Sequence, residues 1–261
     1  MVKKTFQKIY VALILFFLYA PIIVLVVLSF NRSKSRAKWG GFTLDWYKKM
    51  LTDDKIISAL GTTLMIALFS ALLATVLGTI AAIAINRMKK LPKRIMMNVT
   101  NIPMLNSEIV TGISLMLLFY SIGFALGFTS VLLALTSAHM PYVILNVLPK
   151  LRQTSRNTYE AAMDLGASPL KAFFKVVLPD ILPGVLSGFM MAFTLALDDF
   201  VITHFTKNAS INTLSTLIYA ETRRGIEPQF YALSTVMFVA VLGMVILVFF
   251  LKRKASKNIE K

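Results

Sequence analysis

Cysteine is absent from this 261-residue sequence, and histidine occurs only twice. The first absence excludes a disulfide framework and a thiolate metal site, and two histidines are too few for a zinc centre. No G-x-x-x-x-G-K-[ST] run is present, so the chain carries no phosphate-binding loop for ATP hydrolysis of its own. H-E-x-x-H and the G-x-S-x-G nucleophile elbow are missing as well. No residue is therefore assigned a catalytic or metal-ligating role, and no cofactor is expected. Charge is scarce at 15% of residues, with 12 acids against 28 bases and a net charge of +16. What fills the space is hydrophobic, 57% of the chain, more apolar surface than a soluble domain of this length can hide. Lipid is the expected solvent for most of it. The basic residues sit in short clusters beside apolar runs, as in membrane proteins, which argues against nucleic acid as a partner.

Runs without charge mark where the chain crosses the membrane, at about 20 residues per crossing and ~1.5 Å of rise per residue. Residues 9–31 form the first run, behind Lys3, Lys4 and Lys8. It is too long for the apolar part of a secretory leader, and SFNRSKSR after it lacks a small-residue cleavage pattern. Residues 56–86, 182–205 and 228–251 form three more. The run 109–149 would be about 62 Å long as one helix, twice the hydrocarbon thickness, so Gly123 and Gly127 are expected to turn it back on itself. The expectation is an all-α, polytopic membrane protein with six transmembrane helices. With the N-terminus inside, residues 1–8, 87–94, 150–180 and 252–261 hold 3, 5, 5 and 5 basic residues, 18 of the 28, which favours two cytoplasmic termini. Seven of the remaining ten crowd into one outer loop, residues 32–55. With Trp39, Trp46 and Tyr47, that loop reads as an interfacial anchor or a docking surface.

The inner stretch EAAMDLGASPLKAFFKVVLP, residues 160–179, interrupts this apolar pattern with charge. Glu160, Ala161 and Ala162 are expected to open a helix, the acid lying near the positive end of its dipole. Gly166 supplies a conformation that side chains resist, and Pro169 starts a second helix. Phe173, Val176 and Val177 give that helix an apolar edge, and Pro179 and Pro183 bracket its insertion into the membrane. Such an element suits docking into a groove on a soluble partner; an interfacial helix lying on lipid headgroups is the alternative.

Glu160-Ala161-Ala162, three residues, Gly166, nine residues and Val176-Val177-Leu178-Pro179 resemble the EAA loop of ABC-importer permeases, with Val176 in the isoleucine position of that pattern. The order of spans over residues 56–251 is similar to the MetI-like permease fold. The resemblance implies a type I ABC-importer permease, a transport subunit and not an enzyme, placed in the bacterial cytoplasmic (inner) membrane and working by alternating access. It makes the loop at 150–180 the coupling element for a cytoplasmic ATP-binding subunit dimer, with Glu160, Ala161, Ala162, Gly166, Leu178 and Pro179 as its motif positions. A second homologous permease chain, an extracellular or periplasmic substrate-binding protein and the lipid bilayer are the other implied partners. Residues 1–55 are then an added transmembrane helix with the first outer loop, 56–251 the permease core, and 252–261 a basic cytoplasmic tail. HMPYVILNVLPKL (139–151) and LALDDFVITHF (195–205) resemble the polyamine branch, in particular the second permease subunit of spermidine/putrescine importers. Branches for iron, sulfate and phosphonate share the EAA loop and remain alternatives.

Asp198, Asp199, Glu108 and Tyr142 are the candidates for a substrate pathway. Acids within spans are costly and face protein or water. On an ideal helix Asp198 and Asp199 lie about 40° and 60° either side of Gly184, with Gly188 between them, a small-residue face that another helix can approach closely. A polyammonium substrate needs carboxylates or π faces in place of its hydration. Structural pairing of the aspartates, with a neighbouring helix or with Arg223 or Arg224, is weighed equally. Glu108 reads first as a cap at the start of span three. His139 and Tyr142 flank Met140-Pro141, where ordinary helix packing is the simpler reading. A proton-coupled secondary transporter using Asp198, Asp199 and Glu108 as relays is the alternative of a different class.

Overall fold

The structure, a computed structural model, describes residues 2–154, 156–240 and 242–243. Among them every regular element is helical, and the one extended pairing is an isolated bridge between Asn31 and Phe42. The chain divides into two compact units, Met1–Ile57 with Ile218–Lys261, and Ser58–Leu217.

The first unit begins with α1 (Val2–Ser29), whose side chains over residues 7–28 are exposed or half-buried. Phe16 and Phe17 are 64% and 68% exposed. A helix apolar on every face and covered on none is stable where lipid supplies the cover. One side chain organises the interior of the loop that follows. Asn31 Oδ1 accepts from the backbone N–H of Ser33 (3.1 Å) and Gly40 (2.8 Å), while Nδ2 donates to the Lys38 carbonyl at 2.9 Å. Trp46 Nε1 donates to the Asn31 carbonyl at 2.8 Å, and the Tyr47 hydroxyl meets Ser29 Oγ at 2.7 Å. These two aromatic residues of α2 (Asp45–Thr52) thus fasten the loop to the end of α1. Trp39 stays 55% exposed. Lys49 pairs with Glu227 at 3.0 Å, and Gln229 Nε2 donates to Asp53 at 3.2 Å, tying α2 to the helix over residues 228–240.

In the second unit α3 (Asp54–Arg87) from Ser58 onward, α6 (Phe128–Gln153) and α9 (Leu178–Asp198) build the core. Ala71, Ala74, Ala82 and Ile85 of α3 meet Val143, Val147 and Leu151 of α6 and Ile181 and Ala192 of α9. Val143 is wedged between two glycines. A Cβ on Gly78 would lie 2.8 Å from Val143 Cβ, and one on Gly188 would lie 3.1 Å from its Cα. A Cβ on Gly184 would come within 2.8 Å of the Asn146 carbonyl oxygen. The expected small-residue face of α9 is therefore the seam along which α6 packs.

The expected turn between spans three and four falls at residues 122–127, with Gly123 at φ +69°. Span three itself differs from expectation. α4 (Lys90–Leu105) and α5 (Glu108–Ser121) form a pair bent by 104° at Asn106 and Ser107. At about 24 Å and 21 Å, neither half spans ~30 Å of hydrocarbon alone. Lys90, Lys93 and Arg94 hide α4 from a search for charge-free runs, and Asn98 and Asn101 lower its apolar character further. Span five also departs from its predicted bounds. It ends at Asp198 rather than near residue 205, and after a break at Asp199 and Phe200 the short α10 (Val201–Thr206) resumes. α11 (Leu214–Arg224) follows. Four described helices are long and apolar enough to cross a membrane, five if the bent pair counts as one span. The sixth expected span, 228–251, is helical at 228–240 and 242–243; its other residues, like the basic tail 252–261, lie outside the described residues.

Candidate translocation cavity and coupling loop

Glu108, Asp198, Asp199, His139 and Tyr142 line one cavity of about 230 Å³ in the second unit, with Thr111 and Thr194 beside them. Local structure delivers each side chain. Ser107 caps α5, its Oγ accepting from the Ile109 N–H at 3.3 Å, so the expected capping role belongs to Ser107 and Glu108 occupies the first turn behind it. That position suits an acid electrostatically and leaves its carboxylate at the cavity. Asp198 is the last residue of α9. Asp199 follows in an extended conformation, and its Oδ2 accepts from both the Thr203 N–H and the Thr203 hydroxyl at 2.7 Å. Thr203 stands in the first turn of α10. His139 and Tyr142 lie three apart on α6, on one face, with ring centroids 6.3 Å apart. Pro141 between them cannot donate to the carbonyl of Ser137 one turn earlier.

The two aspartates therefore differ. Asp199 is engaged by its own chain, whereas Asp198 and Glu108 make no hydrogen bond or ion pair among the described residues. Arg223 donates to the Tyr219 hydroxyl at 2.7 Å; the Arg224 side chain lies outside the described residues. Among the described residues no lysine or arginine lines the cavity. Three carboxylates facing one space without a counter-cation can hold a cationic guest, and the Tyr142 ring adds a π face. His139 is buried, 7% exposed, and its Nδ1 has no hydrogen-bond partner among the described residues. Packing was the simpler sequence reading for His139; the signal for more was its i, i+3 spacing from Tyr142. Thr111 and Thr194 carried no such signal. Among the described residues no three histidine, cysteine or acidic side chains are grouped to hold a metal ion.

The second candidate region follows α6. α7 (Arg156–Asp164) begins four residues before Glu160, so Glu160 stands in the second turn rather than opening the helix. The dipole reading is corrected, because that effect fades within the first turn. Glu160 instead lines a groove of about 700 Å³ with Arg87, Tyr159, Met163 and Phe173, where the Arg87 guanidinium sits 5.9 Å over the Tyr159 ring. The helix ends in a Schellman turn. The Ala167 N–H donates to the Ala162 carbonyl and the Gly166 N–H to that of Met163, with Gly166 at φ +84°. This is the physical reason for the spacing from Ala162 to Gly166. Ser168 then accepts from the Lys171 N–H to cap α8 (Pro169–Ala172), Pro169 being its first residue. α8 runs into a π-helical turn, Phe173–Val177, and on into α9 without a break. Leu178 donates to the Phe173 carbonyl, five residues back. Pro179 has no N–H to give, and in a regular α-turn its ring would press on the Lys175 carbonyl; the wider turn relieves that clash. Pro179 and Pro183 thus lie inside one continuous helix instead of bracketing its insertion. Leu165 and Leu170 stand 90% and 72% exposed at the tip.

The family described as the binding-protein-dependent transport system inner membrane component matches residues 74–260, and the chain belongs to it. Similar proteins include the putrescine transport system permease protein PotI of Escherichia coli K12, 37% identical over 249 residues that cover 93% of this chain and 89% of that one. The spermidine/putrescine transport system permease protein PotC of Haemophilus influenzae is 36% identical over 238 residues, 91% and 93% of the two chains. Among solved structures, a bacterial ABC transporter importing the polysaccharide alginate superposes with a TM-score of 0.68 at 16% identity, covering 94% and 92% of the two chains. The MetNI methionine ABC transporter gives 0.61 at 17% identity, covering 76% and 95%. The chain is thus a multi-pass membrane permease of an ABC transport system, all-α in fold and a transport subunit rather than an enzyme. Membership of a binding-protein-dependent family sets aside the proton-coupled secondary transporter.

Proposed function

We propose that this permease imports a polyamine, putrescine or spermidine, through the cavity where Asp198, Asp199, Glu108 and Tyr142 converge. The observation that carries the proposal is the composition of that cavity, three carboxylates and an aromatic ring with no basic residue in its lining among the described residues. Carboxylates replace the hydration of an ammonium group, and a chain of methylenes between two such groups passes beside Leu195 and Ile202. The names of the relatives PotI and PotC support the same substrate class. Asp198 is exposed in the single chain, so a second homologous permease closing over it would complete the pathway. Residues 160–179 form the coupling element for a cytoplasmic ATP-binding dimer, with Leu165 and Leu170 as the docking tip. Both termini face the cytoplasm, and a periplasmic or extracellular binding protein delivers substrate to the opposite side. Residues 56–251 serve as the permease core, with 1–55 an added span and loop and 252–261 a cytoplasmic tail. Stimulation of ATP hydrolysis by ligand-loaded binding proteins tests the substrate class. A polyamine-loaded protein should stimulate the reconstituted complex, and stimulation by a sulfate-loaded or iron-loaded protein alone would overturn the reading.

A further inference from the structure

We infer that the first unit carries a site for one anionic phospholipid, its acyl chain in an apolar groove and its phosphate among the cations of the loop above. The groove has a volume of about 440 Å³, with Phe30, Leu44 and Tyr47 on one wall and Thr235, Val236 and Val239 on the other. Its two hydroxyls are already used: Tyr47 meets Ser29 Oγ, and Thr235 donates to the Tyr231 carbonyl at 2.8 Å. What remains is hydrocarbon. A groove of this size with no free polar group among the described residues offers nothing to orient a sugar, an amine or a nucleotide, but it accepts an alkyl chain. Phe30 directly follows α1, the uncovered apolar helix, so the groove lies at the end of a lipid-facing span. Phe30 is fixed there by stacking on Phe42 at 5.2 Å and Tyr47 at 5.3 Å between ring centroids.

The headgroup end is defined by charge. One turn before Thr235, Tyr231 carries the Arg36 guanidinium 5.9 Å over its ring. Arg32, Lys34, Lys38 and Lys48 are exposed on the same loop and on α2. Among the described residues none of these five cations has a carboxylate within ion-pair distance, whereas Lys49 has Glu227. The Asn31 hydrogen bonds hold the loop in shape, so the cations are presented rather than dispersed. Unpaired cations beside an apolar groove complement a molecule with an anion at one end and a hydrocarbon tail behind it. A protein partner would use the cations and leave the groove empty. An anionic lipid uses both, and it offsets the positive charge that this loop carries against the usual inward bias.

Native mass spectrometry of the complete transporter complex, with phosphatidylglycerol or phosphatidylcholine added to the detergent, tests the site. The native complex should retain phosphatidylglycerol in preference to phosphatidylcholine. Arg36→Gln, which removes a surface cation and leaves the core untouched, should lower that retention about fivefold, the loss expected for one cation near a lipid surface, and Val236→Phe, which fills the groove, should lower it as well. Unchanged retention in both variants overturns the inference, and so does equal retention of the two lipids. A photo-crosslinking residue at position 239 should label lipid; labelling of the binding protein instead would also overturn it.

Discussion

Asp198 and Asp199 are adjacent in sequence but separated in role by the end of α9. Asp199 accepts two hydrogen bonds from Thr203 in the first turn of α10, and Asp198 faces the cavity with no protein partner among the described residues. Their variants should behave differently. Asp199→Ala removes the acceptor for two donors and should lower stability by about 1 kcal/mol. Asp199→Asn keeps an acceptor and should lower it less, and Asp198→Asn should leave it unchanged. Thermal unfolding of the detergent-extracted complex measures all three, and a marked loss with Asp198→Asn would mean that this carboxylate is structural after all. On an ideal helix the two acids could be placed only by angle. The break that assigns them different roles was illegible, because it depends on Thr203 four residues ahead folding back onto Asp199. Glu108 shows the reverse case: its neighbour Ser107 is the better cap by residue type, and the structure uses it.

Among the elements, the seam between α6 and α9 and the passage from α8 to α9 carry the most weight. Gly184→Ala forces a methyl to within 2.8 Å of the Asn146 carbonyl, a backbone atom that cannot step aside. It should cost about 1–3 kcal/mol, seen as a lower unfolding temperature and less monodisperse protein after extraction. A variant as stable as the native protein would show that the helices are not packed this closely. The proposed coupling loop gives a second pair of tests. Gly166→Val puts a branched side chain at φ +84°, at a cost of roughly 1–2 kcal/mol. Pro179→Ala restores an N–H and permits a regular α-turn, which would rotate α8 by about 100° relative to α9. Either change should leave the protein in the membrane and sever ATP hydrolysis from transport. Full ATP-dependent uptake by both at normal abundance would contradict the coupling role. Much here was legible in the sequence: the apolar runs gave α1, α3 and α6, and the proline and glycine positions gave the bend at Gly166 and the start of α8. α4 was not legible, since its polar face breaks the apolar run, and the π turn follows from a clash between residues four apart that no periodicity records.

At the scale of the whole molecule, the outward-turned apolar α1, the acid-lined cavity and the α7–α8 tip are the parts on which the proposed ATP-driven uptake of a cation rests. The placement of acids in that cavity could be anticipated only as a list of costly residues; that Glu108 and His139 join the aspartates depends on the 104° bend between α4 and α5 and on the packing of α6 against α9. Uptake of labelled putrescine and spermidine into proteoliposomes holding the complete complex, with ATP inside and the loaded binding protein outside, addresses the central claim. The native complex should accumulate polyamine only with ATP, and the Asp198→Asn, Asp199→Asn double variant should fall by at least about tenfold, equivalent to ~1.4 kcal/mol, at unchanged abundance. Native rates of polyamine uptake by the double variant would remove these carboxylates from the pathway.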